Sequence, residues 1–237
     1  MIVNGPYYEV ITGDLIASRD LRPEDRAQLP EVLRDGLNML SEPIAEIEEP
    51  RRTVALCYQV FRGDSFQVVF HATGGGLRAA VYLMGYLEDR GHPAFSILAR
   101  LALGVGTAEY LNYDPTSGPS LVPQGFHGDG EVFELSGGLV DDLKKERRRI
   151  GVRTPWAEVN EEFRVHCLAL DRLIERWTYQ QAQAVLWELR GSKQKDTAAR
   201  VGVSQPAISR RLRSAGMEII GAQIDRYEQM VCRKINL

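Results

Sequence analysis

The chain has 237 residues, 44% hydrophobic and 26% charged with a net charge of −3, a composition that suits two soluble globular domains. No stretch approaches the roughly 20 apolar residues of a membrane span, and the start, MIVNGPYYEVITGD, lacks the basic and apolar regions of a secretory signal, so a cytoplasmic protein is expected. Three cysteines (Cys57, Cys167, Cys232) and four histidines lie far apart without CxxC spacing, which argues against disulfides and a zinc site.

Taken in chain order, Tyr7–Ile16 predicts a strand that carries Asp14 near its end, followed by a short loop, Ala17–Pro23. Leu29, Val32, Leu33, Leu37, Leu40, Ile44 and Ile47 then recur at helical spacing, which predicts a helix over about 23–47. Thr53–Phe61 and Ser65–His71 are β-branched and aromatic runs split by Arg62-Gly63-Asp64, the signature of a hairpin. After Gly74-Gly75-Gly76 a helix is expected over Leu77–Glu88, then a strand over Phe95–Tyr110. The Gly- and Pro-rich stretch 111–130 reads as a loop, and a short helix over Gly130–Leu143 closes the region. The order β-α-β-β-α-β predicts an α+β, ferredoxin-like domain over residues 1–143. Residues 144–153, which include KKERRR, read as a solvated basic linker, and an all-helical domain follows over 154–237.

Charge separates these regions. Residues 1–143 hold 10 Arg, no Lys and 21 Asp or Glu, a net of −11, whereas residues 144–237 hold 19 basic and 11 acidic residues, a net of +8. The second region would be drawn to a polyanion and the first repelled by it.

Within the basic region, Val159, Phe163, Cys167, Leu170, Ile174 and Trp177 form one helical stripe, fit for a core or a dimer contact. Thr178 and Gln181 form a capping box that starts a second helix, stopped at Gly191. The segment GSKQKDTAARVGVSQPAISRRLRSAG predicts a helix-turn-helix. Ser192 is placed to cap its first helix, Gly202 to take the positive φ of the turn, Val203 to plug it, and Ser204 to cap the second helix, with Pro206 in the first turn. At about 100° per residue, Ile208, Leu212 and Ala215 fall on one side and Pro206, Ser209, Arg210 and Arg213 on the other. An apolar back and a face of long donors is what a helix in the major groove requires. The alternative is a helical hairpin with a solvated basic face.

The run GVSQPAISRRL resembles the helix-turn-helix of LysR-type and related bacterial regulators. That resemblance implies that Gln205, Ser209, Arg210 and Arg213 face the groove of double-stranded DNA and that Lys193, Lys195, Ser204 and Arg211 meet phosphates. A single such helix usually binds weakly, so a homodimer on a two-fold site is expected.

In the acidic region, the first strand and the hairpin are expected to be neighbours, so Asp14 and Asp64 converge at one edge of the sheet. Such a carboxylate pair suits Mg²⁺ or Mn²⁺ carrying a triphosphate, with Arg19 placed for a phosphate; the alternative is two ordinary turn aspartates. His127 and Asp129 lie in the later loop as further candidate contacts, and Gly74–Gly76 reads as loop punctuation rather than a phosphate loop.

The succession ITGDLIASRD, FRGDSFQVVF, LALGVGTAEY and a Gly-Asp-Gly before a helix resembles the SatD family of bacterial proteins. The same skeleton is similar to the palm of class III nucleotide cyclases and diguanylate cyclases. The resemblance implies Asp14 and Asp64 as metal ligands and a nucleotide held near Gly13, Ser18, Arg19 and Gly63. Where diguanylate cyclases carry Gly-Gly-Asp-Glu-Phe, this chain has Arg62-Gly63-Asp64-Ser65-Phe66, without the second carboxylate. The expectation is a transcriptional regulator whose palm-like domain binds a nucleotide. The alternatives are an active nucleotidyl cyclase or transferase tethered to DNA, and a scaffold that binds protein.

Overall fold

The computed structural model describes residues 6–41, 55–91, 97–113 and 125–235. Strand β1 (Tyr7–Ile16) leads through a single 3-10 turn at Ser18–Asp20 into helix α1 (Pro23–Ser41). Strands β2 (Ala55–Phe61) and β3 (Ser65–His71) form the expected hairpin, turned by Arg62 and Gly63 at φ 53° and 85°. Helix α2 (Gly76–Gly91), strand β4 (Leu98–Thr107), a small pair β5 (Tyr110–Tyr113) and β6 (Phe126–Asp129), helix α3 (Glu131–Lys145) and strand β7 (Ile150–Arg153) complete the first half. The expected extension of α1 to residue 47, the first two residues of the 53–61 strand and the middle of the 111–130 loop lie outside the described residues.

The main sheet has the order β2-β3-β1-β4-β7; the first four strands pair antiparallel, and β7 joins β4 in parallel. Alternation along β1 sends Ile11 and Leu15 into the core with Leu29, Leu33 and Leu37 of α1, and Val10 to the other face with Val132 of α3. Strand β4 reads as an almost unbroken apolar run because both its faces are covered. Gly104 is required there: a Cβ would lie 2.7 Å from the Val132 carbonyl oxygen of α3.

Two expectations fail here. The stretch 111–130, expected as a loop, contains the β5–β6 pair, in which Tyr110 opposes Asp129. Residues 144–153, expected as a solvated linker, are the end of α3, a turn and β7. The Leu101 amide donates to the Arg149 carbonyl at 2.7 Å, and the Arg149 amide donates to the Asp171 carboxylate at 3.0 Å. Backbone pairing outweighs the side-chain charge of the KKERRR run.

The second half is helical: α4 (Ala157–Ile174), α5 (Tyr179–Leu189), α6 (Gln194–Val201), α7 (Gln205–Ala215) and α8 (Met217–Ile235). The α4 stripe is core, with Val159, Phe163, Cys167 and Leu170 fully buried, so it makes no dimer contact. Helix α5 presses on α2 where Gly85 leaves room; a Cβ there would sit 3.2 Å from the Ala182 carbonyl oxygen. Gln183 donates to Asp89 at 3.0 Å across the same seam. One continuous apolar cluster runs from β1 through α1 and α2 into α4–α8. Among the described residues no helix is long and apolar enough to cross a membrane.

Candidate nucleic-acid interface and ligand cleft

Helices α6 and α7 meet at the turn Gly202-Val203-Ser204. Gly202 has φ 70°, a left-handed conformation that side chains disfavour, and the Val203 amide donates to the Ala198 carbonyl at 3.0 Å. Ala198, Ile208, Leu212 and Ala215 are buried, and Val203 packs against the same cluster. The capping details differ from expectation. Helix α6 starts after Lys193, and the Ser192 hydroxyl accepts from Thr197 at 3.1 Å instead of capping. Ser204 occupies the N-cap of α7 with extended backbone, but its hydroxyl makes no capping bond.

The burial of three side chains on one side of α7 fixes what the other side presents. Lys193, Lys195, Ser204, Gln205, Arg210 and Arg213 are exposed, and Ser209 and Arg211 are half-buried. Between Arg190 and Arg213 the chain carries seven basic residues and one acid, so this surface is strongly positive. Gln205 at the start of α7 donates to Gln194 of α6 at 2.9 Å, which sets the two helices against each other at the exposed end. Behind them, the Trp177 indole donates to the Ala215 carbonyl at 3.0 Å, satisfying an acceptor at the end of α7. The Arg200 guanidinium lies 4.2 Å from the centre of the Trp187 ring of α5, so α6 is also pinned from outside.

In the first half of the chain, the ends of β1, β3 and β4 enclose a cleft of about 730 Å³. Register explains its composition: Asp14 lies opposite Ser65 on one side and Arg100 on the other. Asp14 and Asp64 therefore share the cleft, as the sequence led us to expect. Their partners were not foreseen. Arg100, itself buried, donates through Nη1 to both Asp14 oxygens at 2.9 and 2.7 Å. The Asp64 carboxylate accepts from Ser18 at 2.7 Å and Ser65 at 3.3 Å.

This donor set does not fit a ready-made site for Mg²⁺ or Mn²⁺. Such cations need about six oxygen ligands, yet Asp14 is already neutralised by a guanidinium. Among the described residues, no three His, Cys, Asp or Glu side chains are grouped to hold a metal.

Of the residues expected near a nucleotide, Ser18 and Arg19 line the cleft. Gly13 does not; it faces the core, where a Cβ would meet the Phe66 ring at 2.5 Å. Gly63 shapes the hairpin turn without lining the cleft, with φ 85°. His127 and Asp129 belong to β6, away from the cleft lining. Arg26, Arg62, Arg100 and Lys144 line it and were missed. Only the antiparallel register and the position of the α3 terminus bring them to Asp14.

The Gly74–Gly76 run is closed to phosphate by a protein carboxylate. Glu9, fully buried, accepts from the amides of Thr73 at 3.2 Å and Gly76 at 3.0 Å at the start of α2, and from the Tyr227 hydroxyl at 2.7 Å. Burial pushes the Glu9 carboxyl above its ordinary range. Burial also pushes the Cys57 and Cys167 thiols up to about 12, which removes both as nucleophiles. Compared with known proteins, the chain matches no family model and no curated protein.

Proposed function

We propose that the protein is a transcriptional regulator of the bacterial helix-turn-helix kind, which reads duplex DNA with α7 and binds a nucleotide in the Asp14–Asp64 cleft. One observation carries the DNA reading: α7 buries Ile208, Leu212 and Ala215 while Arg210 and Arg213 stay exposed beside Lys193 and Lys195. A helix so held offers guanidinium forks to base edges and lysines to phosphates. A homodimer follows from the usual geometry of such helices, which fill two half-sites about one DNA turn apart.

The strand order β2-β3-β1-β4, all antiparallel, supports the ferredoxin-like, palm-type reading of the first domain and with it the SatD and cyclase likeness. A second reading, an Mg²⁺-dependent nucleotidyl cyclase or transferase, has the meeting of Asp14 and Asp64 in one cleft in its favour. The Arg100 pair stands against it.

Selection of bound duplexes from a random pool tests the regulator reading. Enrichment of one motif by the intact chain, lost in Arg210→Ala with Arg213→Ala, is expected; recovery of no motif overturns it. Release of pyrophosphate from a nucleoside triphosphate, abolished in Asp64→Ala, would establish the second reading.

A further inference from the structure

We propose that the cleft grips an oligophosphate directly through arginine, with Arg100 standing where a divalent cation would otherwise neutralise Asp14. The inference rests on the reading of the cleft as a nucleotide site and specifies how that site holds its ligand.

The cleft is positive inside a negative domain. Residues 1–143 carry only 10 Arg against 21 acidic residues, yet Arg19, Arg26, Arg62 and Arg100 all line this one cavity, with Lys144 beside them. Three acids share the lining: Asp14, Asp20 and Asp64. Asp14 is held by Arg100, and Asp64 by two serine hydroxyls. Among the described residues, no carboxylate pairs with Arg19, Arg26, Arg62 or Lys144. Five cations therefore line the cavity against three carboxylates, and among the described residues only Arg100 is tied to one of them by an ion pair. Guanidinium forks match phosphate oxygens two at a time, which a point charge does not.

Backbone conformation supports the same conclusion. Ala17 and Arg62, at φ 57° and 53°, are two of the three non-glycine residues with positive φ among the described residues, and both line the cleft. Such conformations cost energy and concentrate where a loop is held in place for a ligand. They set the two loops from which Arg19 and Arg62 project.

Entry of a metal runs against the geometry. A cation at Asp14 must first part it from Arg100, leaving a buried guanidinium without its counter-charge, an arrangement that is strongly unfavourable. A phosphate chain imposes no such separation. The cavity, about 730 Å³, falls in the range of small-ligand sites.

Titration calorimetry on the intact chain tests this with sodium tripolyphosphate, ATP and GTP, each in EDTA and in Mg²⁺. Tripolyphosphate is expected to bind in EDTA, with Mg²⁺ leaving the affinity unchanged or weakening it by masking the phosphates. Tighter binding of ATP or GTP than of tripolyphosphate would add recognition of the nucleoside and is consistent with the proposal. The double variant Arg26→Gln, Arg62→Gln is expected to weaken binding by roughly tenfold or more, as the loss of charge-assisted hydrogen bonds implies. Asp14→Asn releases Arg100 and is expected to preserve or tighten binding, whereas at a metal site it would abolish it. Circular dichroism of both variants confirms that they fold. Binding that demands Mg²⁺ and vanishes in Asp14→Asn overturns the inference and leaves the nucleotide reading standing. Binding of ATP without tripolyphosphate in EDTA also overturns it. Silence from every probe in both buffers overturns the inference together with the nucleotide reading, while the DNA reading is untouched.

Discussion

Tyr227 of α8 donates a 2.7 Å hydrogen bond to Glu9 of β1, 218 residues earlier in the chain, and both side chains are fully buried. The same carboxylate accepts from the amides of Thr73, just before α2, and Gly76, its first residue, so a strand, a helix start and α8 share one acceptor. Burial and the Glu9 charge raise the Tyr227 hydroxyl well above its ordinary range, which keeps it a donor. Helix α8 follows α7 directly after Gly216, so the bond to β1 is made by the helix next in the chain after α7. One apolar cluster takes in residues of both halves, opposite in net charge.

Removing this donor has a defined cost. Tyr227→Phe leaves a buried carboxylate oxygen short of a partner and is expected to lower stability by about 1–3 kcal/mol. Urea unfolding of the two proteins measures it. A change within about 0.5 kcal/mol, typical of a surface substitution, would show that the bond holds nothing together.

The Glu9 carboxyl also sets a pH dependence. Its pKa in the folded protein is raised above the ordinary 4.5, so the folded state holds this proton more tightly than the unfolded chain does. That contribution is fully present below 4.5 and is lost as pH rises through the raised value. Glu9→Gln does not titrate. The stability of the natural protein minus that of the variant is therefore expected to shrink as pH rises above 4.5. A difference that widens with pH would mean burial does not dominate at Glu9.

Two glycines separate conformational cost from collision. At Gly202 a Cβ meets nothing within 4 Å, so Gly202→Ala suffers only from its left-handed φ of 70°, about 1–2 kcal/mol. At Gly104 the Cβ would lie 2.7 Å from the Val132 carbonyl oxygen, so α3 must move and Gly104→Ala is expected to lose about 1–3 kcal/mol by overpacking. Thermal unfolding measures both losses, and near-ultraviolet circular dichroism distinguishes the two, because only Gly104→Ala should shift the signal of the packed sheet.

Some of this arrangement was readable from residue order. Period two in YYEVITGDLI and the Arg62-Gly63-Asp64 break placed β1 and the hairpin, and Gly202 with the Ile208–Leu212 spacing placed α6 and α7. Short strands escaped. Strands β5, β6 and β7 are four residues each, too brief for a period to emerge beside glycines or the KKERRR run. Glu9 escaped for another reason: a lone acid in an alternating strand looks solvated until Thr73, Gly76 and Tyr227 are folded around it. Arg100 likewise gains its meaning from the register that sets it beside Asp14.

Binding of duplex DNA by the exposed basic side of α7 is the proposal on which the regulator reading rests. Its most direct test is the salt dependence of fluorescence anisotropy with a labelled duplex, for the natural chain and for Arg210→Ala, Arg213→Ala and Lys193→Ala. Every phosphate that a variant no longer neutralises should flatten the log–log slope by about 0.9. Lys193→Ala is expected to flatten it and weaken all sequences alike, while either arginine change costs about 1–3 kcal/mol on the preferred site. Affinity and slope unaltered in all three variants would contradict the account.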